Sequence, residues 1–131
     1  MKNQEMILGV IGGSGVYEID GLKNTRWEKI KSSFGEPSDS LLFGDLDGQK
    51  MVFLPRHGRG HLIPPSEINY RANIDALKRA GVTDLISVSA VGSLREDLEP
   101  GMFVICLLYT SDAADDSLRV DLGGRRIIKK V

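Results

Sequence analysis

Met6-Ile7-Leu8-Gly9-Val10-Ile11 is an almost unbroken apolar run that ends in Gly12-Gly13-Ser14-Gly15. A strand with one wet face alternates apolar and polar residues. One without alternation is covered on both faces, as in a parallel or mixed sheet flanked by helices. The stretch therefore reads as the first buried strand of an α/β sheet. A glycine-rich loop directly after such a strand offers backbone N–H groups and the Ser14 hydroxyl to a small anion. A tight turn without a ligand competes with that reading. Two named phosphate motifs fail here. The dinucleotide fingerprint needs a third glycine where Glu18 stands after Gly13 and Gly15, and no lysine follows to complete a nucleotide P-loop.

Further along, Ser40 to Leu46 and Lys50 to Leu54 flank Asp47-Gly48. Both residues tolerate positive φ, so the pattern predicts a tight hairpin. Its second strand runs into Leu54-Pro55-Arg56-His57-Gly58-Arg59-Gly60-His61, which carries both histidines of the chain. Arginine presents a planar fork of donors suited to phosphate or carboxylate. Histidine adds a donor whose charge changes near neutral pH, and glycine lets the backbone approach a ligand. A solvated basic loop is the competing account of the same residues. The two histidines stand four apart, but Gly58, Gly60, Pro64 and Pro65 argue against a helix that would aim them together, and no metal site is expected.

Ser66 to Ala80 reads as the best helix, with Ser66 as N-cap, Glu67 in the first turn and Gly81 as a left-handed C-terminal cap. Ile68, Ala72, Ala76 and Ala80 form one apolar row, and Tyr70, Ile74 and Leu77 a second. Asn69, Tyr70 and Asn73 are polar enough to reach a ligand, although surface placement explains them as well. Leu85 to Ala90 then reads as a buried strand, which makes helix and strand half of a βαβ unit. Its end, Ser89-Ala90-Val91-Gly92-Ser93-Leu94, is a second place for a small ligand, because open α/β sheets bind beyond the carboxyl ends of their strands. A charged turn from Arg95 to Gly101 leads to a further strand opening at Met102-Phe103-Val104-Ile105. Between the first strand and the hairpin, Trp27, Ile30 and Phe34 line up as one apolar side of a short element of undetermined type.

The 131 residues suit a single domain, and 41% hydrophobic with 27% charged residues is ordinary for a globular chain. A net charge of -1 gives no reason to expect nucleic acid or an anionic membrane as partner. No run is long and apolar enough for a transmembrane helix. With Cys106 the only cysteine, no internal disulfide forms, and a cytoplasmic setting is expected.

Three loops now stand together: Gly12 to Gly15, Leu54 to His61, and Ser89 to Leu94. Leu54, Gly58 and His61 fit the start, and Ser89-Ala90-Val91-Gly92-Ser93-Leu94 the close, of a two-ended signature. In this the chain resembles the trimeric nucleoside phosphorylases over about residues 6 to 105, and within them the methylthioadenosine branch more than the inosine/guanosine branch. The resemblance implies the N-terminal part of a phosphorylase-type mixed β-sheet flanked by helices. It implies phosphate bound by Ser14, Arg56, His57, Ser89 and the amide of Ala90, with His61 facing the nucleoside or a neighbouring subunit. The implied reaction belongs to purine and methionine salvage. Phosphate cleaves the N-glycosidic bond of S-methyl-5'-thioadenosine to give adenine and 5-methylthioribose 1-phosphate. Phosphate is a co-substrate, no cofactor is needed, and the partners are a purine nucleoside, phosphate and further copies in a homotrimer. An inosine/guanosine or methylthioinosine substrate stays open within the family, and a non-catalytic anion-binding fragment stays open outside it.

The resemblance assigns no catalytic residue in this chain, because the family's base-binding acidic residues lie in a C-terminal half without counterpart here. Beyond Ile105 the family continues with an Asp-bearing strand, whereas this chain reads Cys106-Leu107-Leu108-Tyr109-Thr110-Ser111 and ends Ile127-Ile128-Lys129-Lys130-Val131. That tail resembles translated adaptor sequence. The expectation is a phosphorylase part over residues 1–105 and a foreign tail over 106–131, from a truncated reading frame that folds marginally and does not turn over by itself.

Overall fold

The computed structural model describes residues 5–13 and 15–105, so the expectations for Ser14 and for the 106–131 tail lie outside the described residues. The chain divides into two compact units, the first reaching to Val88 and the second starting at Ser89. All assigned helices and strands fall in the first: β1 (Ile7–Gly12), β2 (Lys23–Glu28), β3 (Leu41–Leu46), β4 (Gln49–Pro55), a 3-10 turn (Pro65–Glu67), α1 (Tyr70–Arg79) and β5 (Asp84–Ser87). Among the described residues no helix is long and apolar enough to cross a membrane.

The strands form one mixed sheet in the order β2-β3-β4-β1-β5. As its composition demands, β1 has a neighbour on each side and runs parallel to both β4 and β5. The hairpin is as the sequence predicts. Leu46 pairs with Gln49 across Asp47-Gly48, whose φ angles are 47° and 81°. Alternate residues of β4 enter two cores. Val52 and Leu54 join Ile11, Leu41, Ala76, Leu77, Val82 and Leu85 on the helix side. Met51 and Phe53 join Val10 and Leu42 on the other, where Val16, Tyr17 and Leu22 pack against them.

The helix is displaced from its expected position. It starts at Tyr70 rather than Ser66, because Ile68 is extended and Asn69, not Ser66, caps it by accepting from the Ala72 N–H at 3.1 Å. Two consecutive prolines favour a separate turn before it, and Glu67 belongs to that turn. The C-terminal expectation stands. Gly81 has φ 89°, its N–H donates to Lys78 at 3.0 Å, and Val82 donates to Leu77 at 3.1 Å. This is a Schellman motif with its apolar contact, since Leu77 and Val82 share a core. Of the two apolar rows, Ile68, Ala72 and Ala76 are buried, but Tyr70 and Ile74 of the second row are exposed and only Leu77 is buried.

Trp27, Ile30 and Phe34 do not share an element. β2 ends at Glu28, and Phe34 sits in a turn closed by the Ser32–Gly35 bridge. β2 itself is exposed along its whole length, with a register irregularity between Lys23 and Arg26 and φ 53° at Asn24. The strand expected to reach Ala90 ends at Ser87.

In the second unit, Arg95 pairs with Asp97 (Nε to Oδ1, 2.9 Å) and the Leu98 N–H donates to the Arg95 carbonyl at 3.3 Å, which makes the charged turn. The strand expected at Met102 to Ile105 is absent. These side chains are exposed, and an apolar run becomes a strand only where a neighbour completes the ladder, which none of the described residues does.

Candidate functional site

Because β4, β1 and β5 are parallel, their carboxyl ends share one edge of the sheet. Pro55 stands opposite Gly12, and Ile11 opposite Ser87. Beyond these ends the Arg56 N–H donates to the Gly12 carbonyl at 2.8 Å and the Val88 N–H to the Ile11 carbonyl at 2.8 Å. The Arg56 guanidinium reaches the Val88 carbonyl (Nη1 to O, 3.4 Å). The glycine loop after β1 and the arginine/histidine loop after β4 are thus joined at their roots. Gly12 cannot be replaced without a shift, since a Cβ there would fall 2.4 Å from Val16 Cγ2. At Gly13 the space is open, and Gly15 has φ 90°. Ser89 and Ala90 open the second unit, directly after Val88 in the chain.

His57 is half-buried, and its Nδ1 lies 2.8 Å from the Ile63 carbonyl, whose own N–H donates to the His57 carbonyl at 3.0 Å. A carbonyl only accepts, so this contact puts the proton on Nδ1. Nε2 then accepts in the neutral ring and donates only in the imidazolium. The His61 ring stacks on it with centroids 4.3 Å apart, from a backbone with φ 57°. A left-handed histidine is uncommon, and here it ends a turn in which the His61 N–H donates to Gly58 at 3.1 Å.

The second arginine of the motif behaves differently. Arg59 forms a two-pronged ion pair with Asp39, Nε to Oδ2 and Nη2 to Oδ1 both at 3.0 Å, and lies 4.0 Å from the Trp27 ring centroid. Burial pushes the Asp39 carboxyl up. The hydrogen bonds from the Arg59 side chain and backbone and from the Ser40 backbone, with the Arg59 charge, outweigh it and hold the group below the usual carboxylate range. A cleft of about 350 Å³ is lined by Ser38, Asp39, Gly58, Arg59, Leu62 and Ile63, and neither Arg56 nor His57 lines it.

Three residues behind the loop, Asn73, Asn69 and Asp39, lie outside the motif. Asn73, weighed as a surface or ligand-reaching residue, is instead 2% exposed. Its Oδ1 accepts from the Ser38 N–H at 2.8 Å and its Nδ2 donates to Ser38 Oγ at 3.0 Å. Asn69 caps α1 and donates to the Phe34 carbonyl at 2.8 Å. Asp39 is the one of the three that the sequence does not single out. The tight Ser38-Asp39-Ser40 segment before a strand is the only local hint of it, and its partner lies 20 positions away.

The model of the phosphorylase superfamily matches residues 7–125. S-methyl-5'-thioadenosine phosphorylase of Rhodospirillum rubrum is 68% identical over 102 residues, covering 78% of this chain and 35% of that protein. The enzyme of the same name from Thermofilum pendens is 55% identical over 101 residues, 77% of this chain and 38% of that one. Among solved structures, methylthioadenosine phosphorylase from an antarctic soil metagenomic library superposes with a TM-score of 0.69 at 52% identity, over 74% of this chain and 34% of that one. Methylthioadenosine phosphorylase from Schistosoma mansoni in complex with adenine gives 0.71 at 48% identity, over 78% and 37%. The chain therefore spans little more than a third of these relatives. By the extent of the family match and the shared mixed sheet, the chain belongs to the phosphorylase superfamily.

Proposed function

We propose that this chain carries the phosphate-binding part of a nucleoside phosphorylase that acts on S-methyl-5'-thioadenosine. The observation that carries the reading is the shared edge where β1, β4 and β5 end, with Arg56 and His57 rooted beside Gly12. Open α/β sheets bind ligands there. The names of the relatives support a nucleoside phosphorylase family and, within it, this nucleoside.

In the proposed site Arg56 grips phosphate with its fork, and His57 accepts from a protonated phosphate oxygen or, as imidazolium, donates to the dianion. Ser14, Ser89 and the Ala90 amide are further proposed phosphate ligands, as the family resemblance implies. Each charge-assisted hydrogen bond contributes roughly 1.5–3 kcal/mol, so several offset the desolvation of the anion. A phosphate oxygen then forms a bond to the anomeric carbon as the carbon–nitrogen bond to adenine breaks. The electron pair leaves with the base, which takes up a proton, through an oxocarbenium-like state. Positioning and charge stabilisation suffice, and no side chain needs to become a covalent nucleophile. His61, stacked on His57, is the proposed contact to the nucleoside or to a neighbouring subunit. A homotrimer and a cytoplasmic location belong to the same proposal.

The test is a chimera in which residues 7–105 of this chain replace the aligned part of the Rhodospirillum rubrum enzyme. Phosphate-dependent release of adenine from methylthioadenosine is expected, with a loss of roughly a hundredfold or more in kcat/KM for phosphate on Arg56→Ala. Full activity of the Arg56→Ala chimera would sink the assignment. The 131-residue chain alone is expected to bind phosphate without releasing adenine.

A further inference from the structure

This inference rests on the phosphate-binding reading above. Asp39 precedes β3 and lies 20 positions from the basic loop, yet three of its contacts fall on one residue of that loop. The Arg59 main-chain N–H donates to Oδ2 at 2.7 Å, Arg59 Nε to the same oxygen at 3.0 Å, and Nη2 to Oδ1 at 3.0 Å. The Asp39 side chain is only 13% exposed. It is also braced from behind. The Ser40 N–H donates to Oδ1 at 2.7 Å, and Ser38 is held at backbone and hydroxyl by the buried Asn73 of α1. Gly58, with φ 72°, passes so close that a Cβ would sit 3.1 Å from the Ser38 carbonyl.

A bond to a main-chain N–H fixes the loop itself as well as a side chain. Arg59 is one residue past Gly58, which follows the proposed anion-binding pair Arg56 and His57 directly. We infer that Asp39 is a positioning residue for phosphate. It pins the loop at Arg59 so that Arg56 and His57 keep their place, and it holds the second guanidinium of the loop against Trp27, away from the anion. A purely electrostatic view predicts the opposite sign. Deleting the carboxylate would remove a negative charge and release a cation, and phosphate would bind more tightly. A role confined to stability predicts a lower melting temperature with the affinity of the folded fraction unchanged.

The purified 131-residue chain is titrated with inorganic phosphate, read by 31P NMR and by emission of Trp27, its only tryptophan. Asp39→Asn is expected to weaken phosphate binding roughly tenfold and to shift the emission of Trp27, while Asp39→Glu recovers most of the affinity. Should Asp39→Asn fail to fold, Arg59→Gln is expected to weaken binding likewise. Unchanged or tighter binding by the folded variant overturns the inference. Arg56→Ala separates the two levels. If it abolishes binding while Asp39→Asn does not weaken it, only the positioning role falls. If the folded wild-type chain binds no phosphate and the chimera is indifferent to Arg56→Ala, the phosphate reading falls and takes this inference with it.

Discussion

At its amino end β4 leaves the hairpin through Asp47-Gly48, two residues whose positive φ angles alone turn the chain. At its carboxyl end it enters residues 56–63, where Gly58 and Gly60 also have positive φ but the path depends on Asp39, Ile63 and, through Ser38, on Asn73. The first turn is self-sufficient and carries no chemistry. The second is shaped by one contact of its own, His57 to Ile63, and by partners distant in sequence. The loop uses the His57 ring for its own shape, through Ile63, and takes the rest of its restraint from Asp39 and Asn73, elsewhere in the chain.

The comparison can be broken or sharpened by substitution. Phe53→Ala, in the core between the two ends, should cost about 3–5 kcal/mol and erase the distinction, with amides at Gln49, paired with Leu46, and Arg59 losing exchange protection together. Asn73→Ala should cost about 3 kcal/mol, since both Ser38 groups lose a buried partner; protection should fall at Arg59 and persist at Gln49, and a uniform loss would contradict the difference. Gly58→Ala against Gly48→Ala is a finer test. Each incurs about 1–2 kcal/mol for left-handed φ, but only Gly58 also meets a carbonyl, whereas nothing lies within 4 Å of a Cβ at Gly48. Chemical denaturation should rank Gly58→Ala as the more damaging, and equal costs would mean that the Ser38 contact yields freely.

The smallest effect is that of pH. Asp39 is lowered in the folded chain from an ordinary value of 3.8. Its contribution is therefore fully present above that value and is lost as pH falls through the lower folded one. On acidification Trp27 emission should report release of Arg59 only below the ordinary carboxylate range, and Asp39→Asn should remove this step. A transition well above pH 4 would contradict the assignment.

What was legible in the sequence follows the same division. β1, the Asp-Gly hairpin and the Gly81 cap rest on local signals: an apolar run, a turn pair, a glycine after a helix. The parallel edge followed from β1 and from the helix-then-strand order. The start of α1 is not legible locally, because Ser66 and Asn69 are both residue types that cap helices and stand three apart, and only the extended backbone at Ile68 chooses between them. Asn73 was misjudged because its partner Ser38 is 35 positions away. Arg59 could not be told from Arg56 by residue type. The carboxylate that pairs with Arg59 belongs to another segment.

β2 carries one more consequence. It borders the sheet and is exposed throughout, with Lys23, Arg26 and Glu28 along it, an interrupted register and a left-handed Asn24. A flat, apolar border would recruit the border of another copy and seed fibrils or precipitate. Here charge and curvature frustrate such recruitment, so this margin of the sheet favours colloidal stability in a crowded solution.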